Sequence, residues 1–425
     1  VIDGNSSSNL VGLATAGNSL TGGTATVTVD SGAVIDNVNL LDSDLTIVLT
    51  NAKLANLSYG NDFDTANANL VLDTVEFLGT AIFDQALDAT DLDDVTVHGA
   101  VTMSATNAFI SAEFKDVVTI DSDAEITLTG GAVLGGVVTV EADTKLILNG
   151  AVTGSQNIVG VGNVDLEDAQ VTGAKFFTPV ELKTTASSLT NVEIHDNLTL
   201  TGVNATVSGV LTVSGAGLYL DDKTITLLTD SSINVVSGSS LLIDGESSTG
   251  KILGLSGNTL TGGTADVTLD NAATLDNIDL LDSDLTIVLT NGTLKNLSYV
   301  NDFDLAANNK LENVILLGTA TLDEATSGSV VVDNVTFSSL VTISAATTLS
   351  SPDFRSTLSV EENSTFTEGA VFANTVTVAS GKTLTLSGAV SGSNNIEGSG
   401  IVDLDDAQVV GLKFFAPVNL ESTAS

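Results

Sequence analysis

The chain has 425 residues, with 12 Lys+Arg against 53 Asp+Glu and a formal charge of −41, so nucleic-acid phosphates and anionic membrane surfaces repel it and are excluded as partners. Hydrophobic residues make up 43% and charged residues only 15%, which excludes an acidic disordered tail and allows a well-buried core. Cysteine is absent, which removes disulfides, thiolate metal sites and thiolate nucleophiles.

No run of about eighteen apolar residues occurs, so no transmembrane segment is expected. Val1 stands where an initiator methionine would, and the chain reads as a processed product or a segment of something longer. The palette is Val, Leu, Ile, Thr, Ser, Asn, Asp and Gly, with three prolines, one methionine and no tryptophan, which favours strands and tight turns over helices.

Along the chain, "GNSLTGGTATVTVD" at 17–30 returns as "GNTLTGGTADVTLD" at 257–270, and "LLDSDLTIVLTN" at Leu40–Asn51 returns unchanged at Leu280–Asn291. "VDLEDAQVTGAKFFTPVEL" at 164–182 reappears at 402–420 as "VDLDDAQVVGLKFFAPVNL". Residues 1–240 thus form a first long unit and residues 241–425 a second, incomplete one. Inside the unit runs an apolar–x–Asn/Asp–apolar–x–apolar rhythm: "IDNVNL", "LANLSY", "LDTVEF", "LDDVTV" and later "LTNVEI". Its third position falls at Asn37, Asn56, Thr74 and Asp94, then by the same pattern at Asp116 and Gly136, and in the second unit at Asn277, Asn296, Asn313 and Asn334. The step is about twenty residues, so about twelve short units fill a long one. Alternating stretches such as "VTVHGAVTM" at 95–103 read as strands with one buried face, and nowhere is a 3.6 period sustained.

A strand-and-turn unit of this size buries its apolar face only against copies of itself. The expected fold is all-β, a right-handed parallel β-helix or β-solenoid, with strands of successive coils about 4.8 Å apart. About twenty-one coils at that spacing make an elongated rod on the order of 100 Å long. The hand is not written in the sequence. Asn at the corners tolerates left-handed backbone, and Asn37, Asn56, Asn277, Asn296, Asn313 and Asn334 are expected to stack as an internal amide ladder.

These coils, the Gly/Asn/Asp corners, the absent cysteine and the long tandem unit resemble the β-helical stalks of large bacterial surface proteins, namely filamentous-haemagglutinin-type adhesins and autotransporter passengers. The resemblance implies a secreted or cell-surface structural rod, the stalk of a giant adhesin or the subunit of an extracellular filament or sheath. Its partners would be copies of itself, end-to-end or side-by-side, and a cell surface or polysaccharide matrix. It carries no binding residue over to this chain.

Parallel β-helices also carry polysaccharide lyases and hydrolases. Carboxylate groups such as Asp91, Asp93 and Asp94 arise by chance among 53 acids, and the lysines and arginines are scattered, so no catalytic residue is named and no enzyme is expected. His98 and His195, the only histidines, follow the same pattern in "VTVH" and "VEIH" and read as solvent-facing corner residues rather than a metal pair. Calcium is the cofactor the sequence offers, through turn carboxylates in "DSD" and "NDFD": Asp42, Asp44, Asp62, Asp64, Asp282, Asp284, Asp302 and Asp304, with the amide Asn61 excluded. A solvated acidic face is the competing reading. Thr26/Thr28, Thr127/Thr129 and Thr383/Thr385 raise an ice-binding module as a further alternative, although ordinary strand propensity already favours threonine. In the doublets Phe176–Phe177 and Phe414–Phe415 one ring should enter the core and the other face out, marking either a contact between rods or a small bulge over the core.

Overall fold

The computed structural model describes residues 2–420 apart from 4–8, 12–17, 21–24, 41–45, 65–69, 88–90, 155–156, 185–186, 246–249, 256–257, 263–264, 281–285, 305–308 and 326–331, and single positions 39, 202, 222, 238, 279, 291 and 324. Among the described residues all regular structure is strand, and the strands pair in parallel as a β-solenoid of about 17 turns. Contacts divide the chain into two compact units, Val1–Thr206 and Val207–Ser425.

In the first unit each coil lies in register on the one before. Val71–Phe77 pairs with Leu92–Val97, and that strand pairs in turn with Asn107–Phe114. The inward residues fall in columns, so Leu72 stacks on Leu92 and Val75 on Val95, all at most 1% exposed. Each such side chain contributes about 1.5–3 kcal/mol by leaving water. The wider parts of the interior are filled with rings: Phe63 and Phe77 lie 4.4 Å apart, Phe83 meets Phe109 edge-on at 5.0 Å, and Phe109 meets Phe114 at 5.5 Å.

The second unit shows the coil plan plainly, with three short strands per turn. Lys310–Glu312, Ile315–Leu316 and Ala320–Leu322 are followed in register by Val332–Asp333, Thr336–Phe337 and Val341–Ile343. Seven strands, from Phe303–Asp304 to Lys413–Phe414, form one parallel sheet of this unit. Near its start the coils widen to 27 residues, from Ile225 to Ile252 and from Ile233 to Leu260. About 17 turns are found, fewer than the twenty-one that an even twenty-residue step predicts. Buried Asn258 closes the long coils from inside, its amide nitrogen donating to the carbonyls of Leu228 and Ser231.

The corner column begins where the sequence places it. Asn37, Asn56, Thr74 and Asp94 have φ of 55°, 50°, 55° and 53°, the left-handed region. Beyond Asp94 the pattern misleads. Register puts Ser111 (φ 55°) opposite Asp94 and Gly130 (φ 69°) opposite Ser111, so these two continue the column and Asp116 and Gly136 do not. Asp116 and Gly136 lie at the next corner round the coil, before Val118–Ile120 and Val138–Val140, whose apolar–x–apolar run imitates the motif. At that second corner the backbones of successive coils touch: a Cβ on Gly136 would stand 2.2 Å from the Asp116 carbonyl carbon, and one on Gly99 would stand 2.5 Å from the Gly79 oxygen. In the second unit one column runs unbroken through Asn277, Asn296, Asn313, Asn334, Ser351, Glu368, Gly388 and Asp406, in steps of 17 to 21 residues.

Candidate functional site

The chemistry of this fold lies on its outer columns. At the first corner, the left-handed backbone turns each side chain outward and sets its amide over that of the preceding coil. Asn313 Nδ2 donates to Asn296 Oδ1 at 2.9 Å, and Asn334 Nδ2 donates to Asn313 Oδ1 at 2.7 Å. Asn296 and Asn56 reach instead to the carboxylates of Asp276 and Asp36, at 2.7 and 2.9 Å, while Asn277 donates to the Gly254 carbonyl at 2.8 Å. The ladder runs along the solvent side of the coil and not inside it, because a residue at φ near +55° ends one inward-facing strand and begins the next. The amides inside are different ones. Asn107 and Asn309, each at most 2% exposed, bond the backbone of the coil behind, with Leu87 N donating to Asn107 Oδ1 and Asn309 Nδ2 donating to the Leu289 carbonyl.

A second set of outward groups links successive coils by charge. Lys145 Nζ lies 3.3 Å from Glu125 and 3.6 Å from Asp165, and Lys183 Nζ lies 3.0 Å from Asp165 and 2.9 Å from Glu181. Asp165 occupies an outward position between inward Val164 and Leu166, yet its side chain is only 2% exposed while both lysines remain about one-third exposed. Burial lowers the affinity of Lys183 for its proton, but the bonds to Glu181 and Asp165 outweigh it and the net shift is upward. The signal in the sequence is the recurrence of Glu125, Lys145, Asp165 and Lys183 at steps of 18 to 20 residues, and because register sets Lys145 opposite Asn163 and Asp165 opposite Ile147 and Glu181, the pairs run diagonally between neighbouring outward positions.

The two histidines lie on outward columns, each beside a glutamate. Ser58 Oγ donates to Glu76 Oε2 at 2.8 Å, His98 Nε2 lies 2.6 Å from Glu76 Oε1, and Lys115 Nζ lies 3.4 Å from His98 Nε2. The Ser58 hydroxyl and then His98 hold the Glu76 carboxyl below its ordinary value. His195 stacks on Phe177 with centroids 4.1 Å apart and planes 9° from parallel, beside Glu193, which also binds Lys175 at 2.8 Å. Phe176 is fully buried and Phe177 is 38% exposed; their counterparts are half-buried Phe414 and the 66% exposed Phe415.

Of the carboxylates proposed for calcium, Asp42, Asp44, Asp282 and Asp284 lie outside the described residues, as does the side chain of Asp304. Asp62 caps the corner above it, accepting from Thr80 Oγ1 at 2.8 Å and Thr80 N at 2.9 Å, and Asp302 accepts from Thr319 N at 2.9 Å in the same way. These bonds hold both carboxyls below the usual range. Asp64 is shifted upward, by burial and then by Asp84. Among the described residues no three acidic or histidine side chains converge, and no helix is long and apolar enough to cross a membrane. What the columns show is outward polar groups bonded to the coil above or below.

No protein-family model, curated protein or solved structure matches the chain. The β-solenoid therefore stands on the register of its own strands, and the adhesin-like resemblance on periodicity and composition.

Proposed function

We propose that this chain is a structural and adhesive segment of an extracellular β-solenoid, the stalk of a large surface protein or a subunit of a filament or sheath. The observation that carries the reading is the way outward side chains are used. Asn296, Asn313 and Asn334, and Glu125, Lys145, Asp165 and Lys183, bind between coils in one dimension, which reinforces a stack and focuses no chemistry on one point. Duplication of a long block suits such a stack, since each coil touches only its neighbours.

The deciding experiment is immunogold electron microscopy of producing cells with antibody to this segment. Gold spaced along fibres or over the cell surface supports the proposal. Label confined to the medium without fibres sinks it and turns attention to the rival, a secreted carbohydrate-active enzyme, through a screen for polysaccharide turnover.

A further inference from the structure

On the side of each coil that follows the second corner, a short strand turns two residues inward and one outward. In the first unit the outward residues fall in register from Asp64 through Ile82, Thr102, Thr119, Thr139 and Val159 to Phe177. Beside them the corner residues form a second column, from Asp62 through Thr80, Val117 and Val137 to Lys175. Over the five coils between the two ends neither column carries a charge. Ile82, Val117 and Phe177 are 40%, 39% and 38% exposed on this face.

The second unit repeats the layout. Asp302 and Lys413 end its corner column, again six coils apart, and Thr321, Thr342, Ser359 and Thr377 run in register in the neighbouring one. Glu397 is the one charge between those ends. Charged residues are 15% of the chain and nearly all face outward, so about one outward position in three would ordinarily carry one. For a chain of formal charge −41, a second copy is repelled least across a face without charge.

The ends of the face set the direction of approach. Laid parallel, Asp62 and Asp64 would face their own copies. Laid antiparallel about a two-fold at the Val117–Thr119 coil, Asp62 meets the partner's Lys175, whose ammonium binds Glu193 at 2.8 Å and has protons to spare.

We propose that the chain pairs side by side and antiparallel with a second copy of itself through this face, an inference that rests on the filament or sheath reading above. The threonine methyls would interdigitate with Ile82, Val117 and Phe177 across sheets about 10 Å apart, with Asp84, Asp121 and Glu141 left at the wet rim. From Ile82 to Phe177 the face is about 24 Å long and two columns wide, on the order of 300–400 Å² per copy, under half the area of a stable pair. Each contact is therefore weak alone, and rods are held by repeating it once per long unit.

The chain has no cysteine, so single cysteines report the geometry. Whole chain carrying Thr119→Cys, Ile82→Cys, Val159→Cys or, as control on the neighbouring side of its coil, Thr96→Cys is treated with a short bis-maleimide. The buffer holds about 0.15 M NaCl, where diffuse repulsion between acidic surfaces is screened. The expected result is that Thr119→Cys links to itself at least about tenfold faster than Thr96→Cys, and that Ile82→Cys links to Val159→Cys in an equal mixture but not to itself. Equal rates at Thr119 and Thr96, or Ile82→Cys linking to itself as readily as to Val159→Cys, overturn the inference. Circular dichroism of each variant reports whether it is folded. Immunogold-labelled fibres together with either adverse rate would leave the stalk reading standing and remove only this face.

Discussion

Replacing Phe354 by alanine tests the nearest-neighbour character of the stack. The ring is 1% exposed and lies between Phe337, at 5.0 Å and 8° from parallel, and Phe372, at 5.7 Å and 6°, with Phe366 tilted against it at 5.4 Å. Phe→Ala in a core costs about 3–5 kcal/mol, and the two parallel pairs account for roughly 1–3 of that. The upper end is expected, because backbone ladders to Thr336–Phe337 and Ala370–Phe372 hold the adjacent coils in place and the cavity cannot collapse. Phe354→Leu, which keeps most of the volume, should lose about half as much or less. Hydrogen exchange read by mass spectrometry locates the effect, and urea unfolding gives its size. Protection should fall in strands Thr336–Phe337, Asp353–Phe354 and Ala370–Phe372 and remain in Val71–Phe77. A loss below about 1 kcal/mol, or protection falling equally in both units, would refute the reasoning.

Asn313→Ala removes two rungs of the amide ladder and puts a Cβ-bearing residue without a compensating amide at φ 54°; a loss of about 1–2 kcal/mol is expected by thermal unfolding, with Asn313→Gly losing less because glycine takes that backbone freely. Lys183→Met leaves buried Asp165 with Lys145 alone, 3.6 Å away, and should cost about 1–3 kcal/mol, most of it recovered when Asp165→Asn is added; a denaturant double-mutant cycle that finds no coupling contradicts the ladder. Glu76 has a lowered folded value, so its contribution is present above the unfolded carboxyl value and is lost as pH falls through the folded one. Glu76→Gln should therefore reduce the melting temperature at neutral pH and converge with the parent below about pH 4. Parallel melting curves across that range would contradict the assignment.

Periodicity made the solenoid legible. Alternation in "LDDVTV" placed Leu92, Val95 and Val97 inside, and Asn37, Asn56, Thr74 and Asp94 declared a corner by their tolerance of left-handed backbone. The phase was lost at Ser111, because "FISAEF" holds Ser111 and Ala112 where the coil before holds Asp94 and Val95, while "DVVTI" at a different corner supplied the expected shape. Local pattern cannot tell one corner of a triangular coil from another; only pairing with the coil behind does. The 27-residue coils hid for a related reason, since a long corner such as that around Asn258 carries no alternation of its own. Asp165 was illegible as a buried group because alternation assigns it outward, and its burial comes from lysine stems on adjacent coils.

The single column of corners in the second unit has a mechanical consequence. Pulled from an end of the stack, the terminal coil carries the load on one set of backbone ladders and the coil behind it carries none until the first has peeled away. Each release then frees 17 to 21 residues, roughly 60–70 Å of contour. Tension is relieved in small, nearly equal instalments, so a sudden tug is absorbed as a train of short slips instead of one rupture.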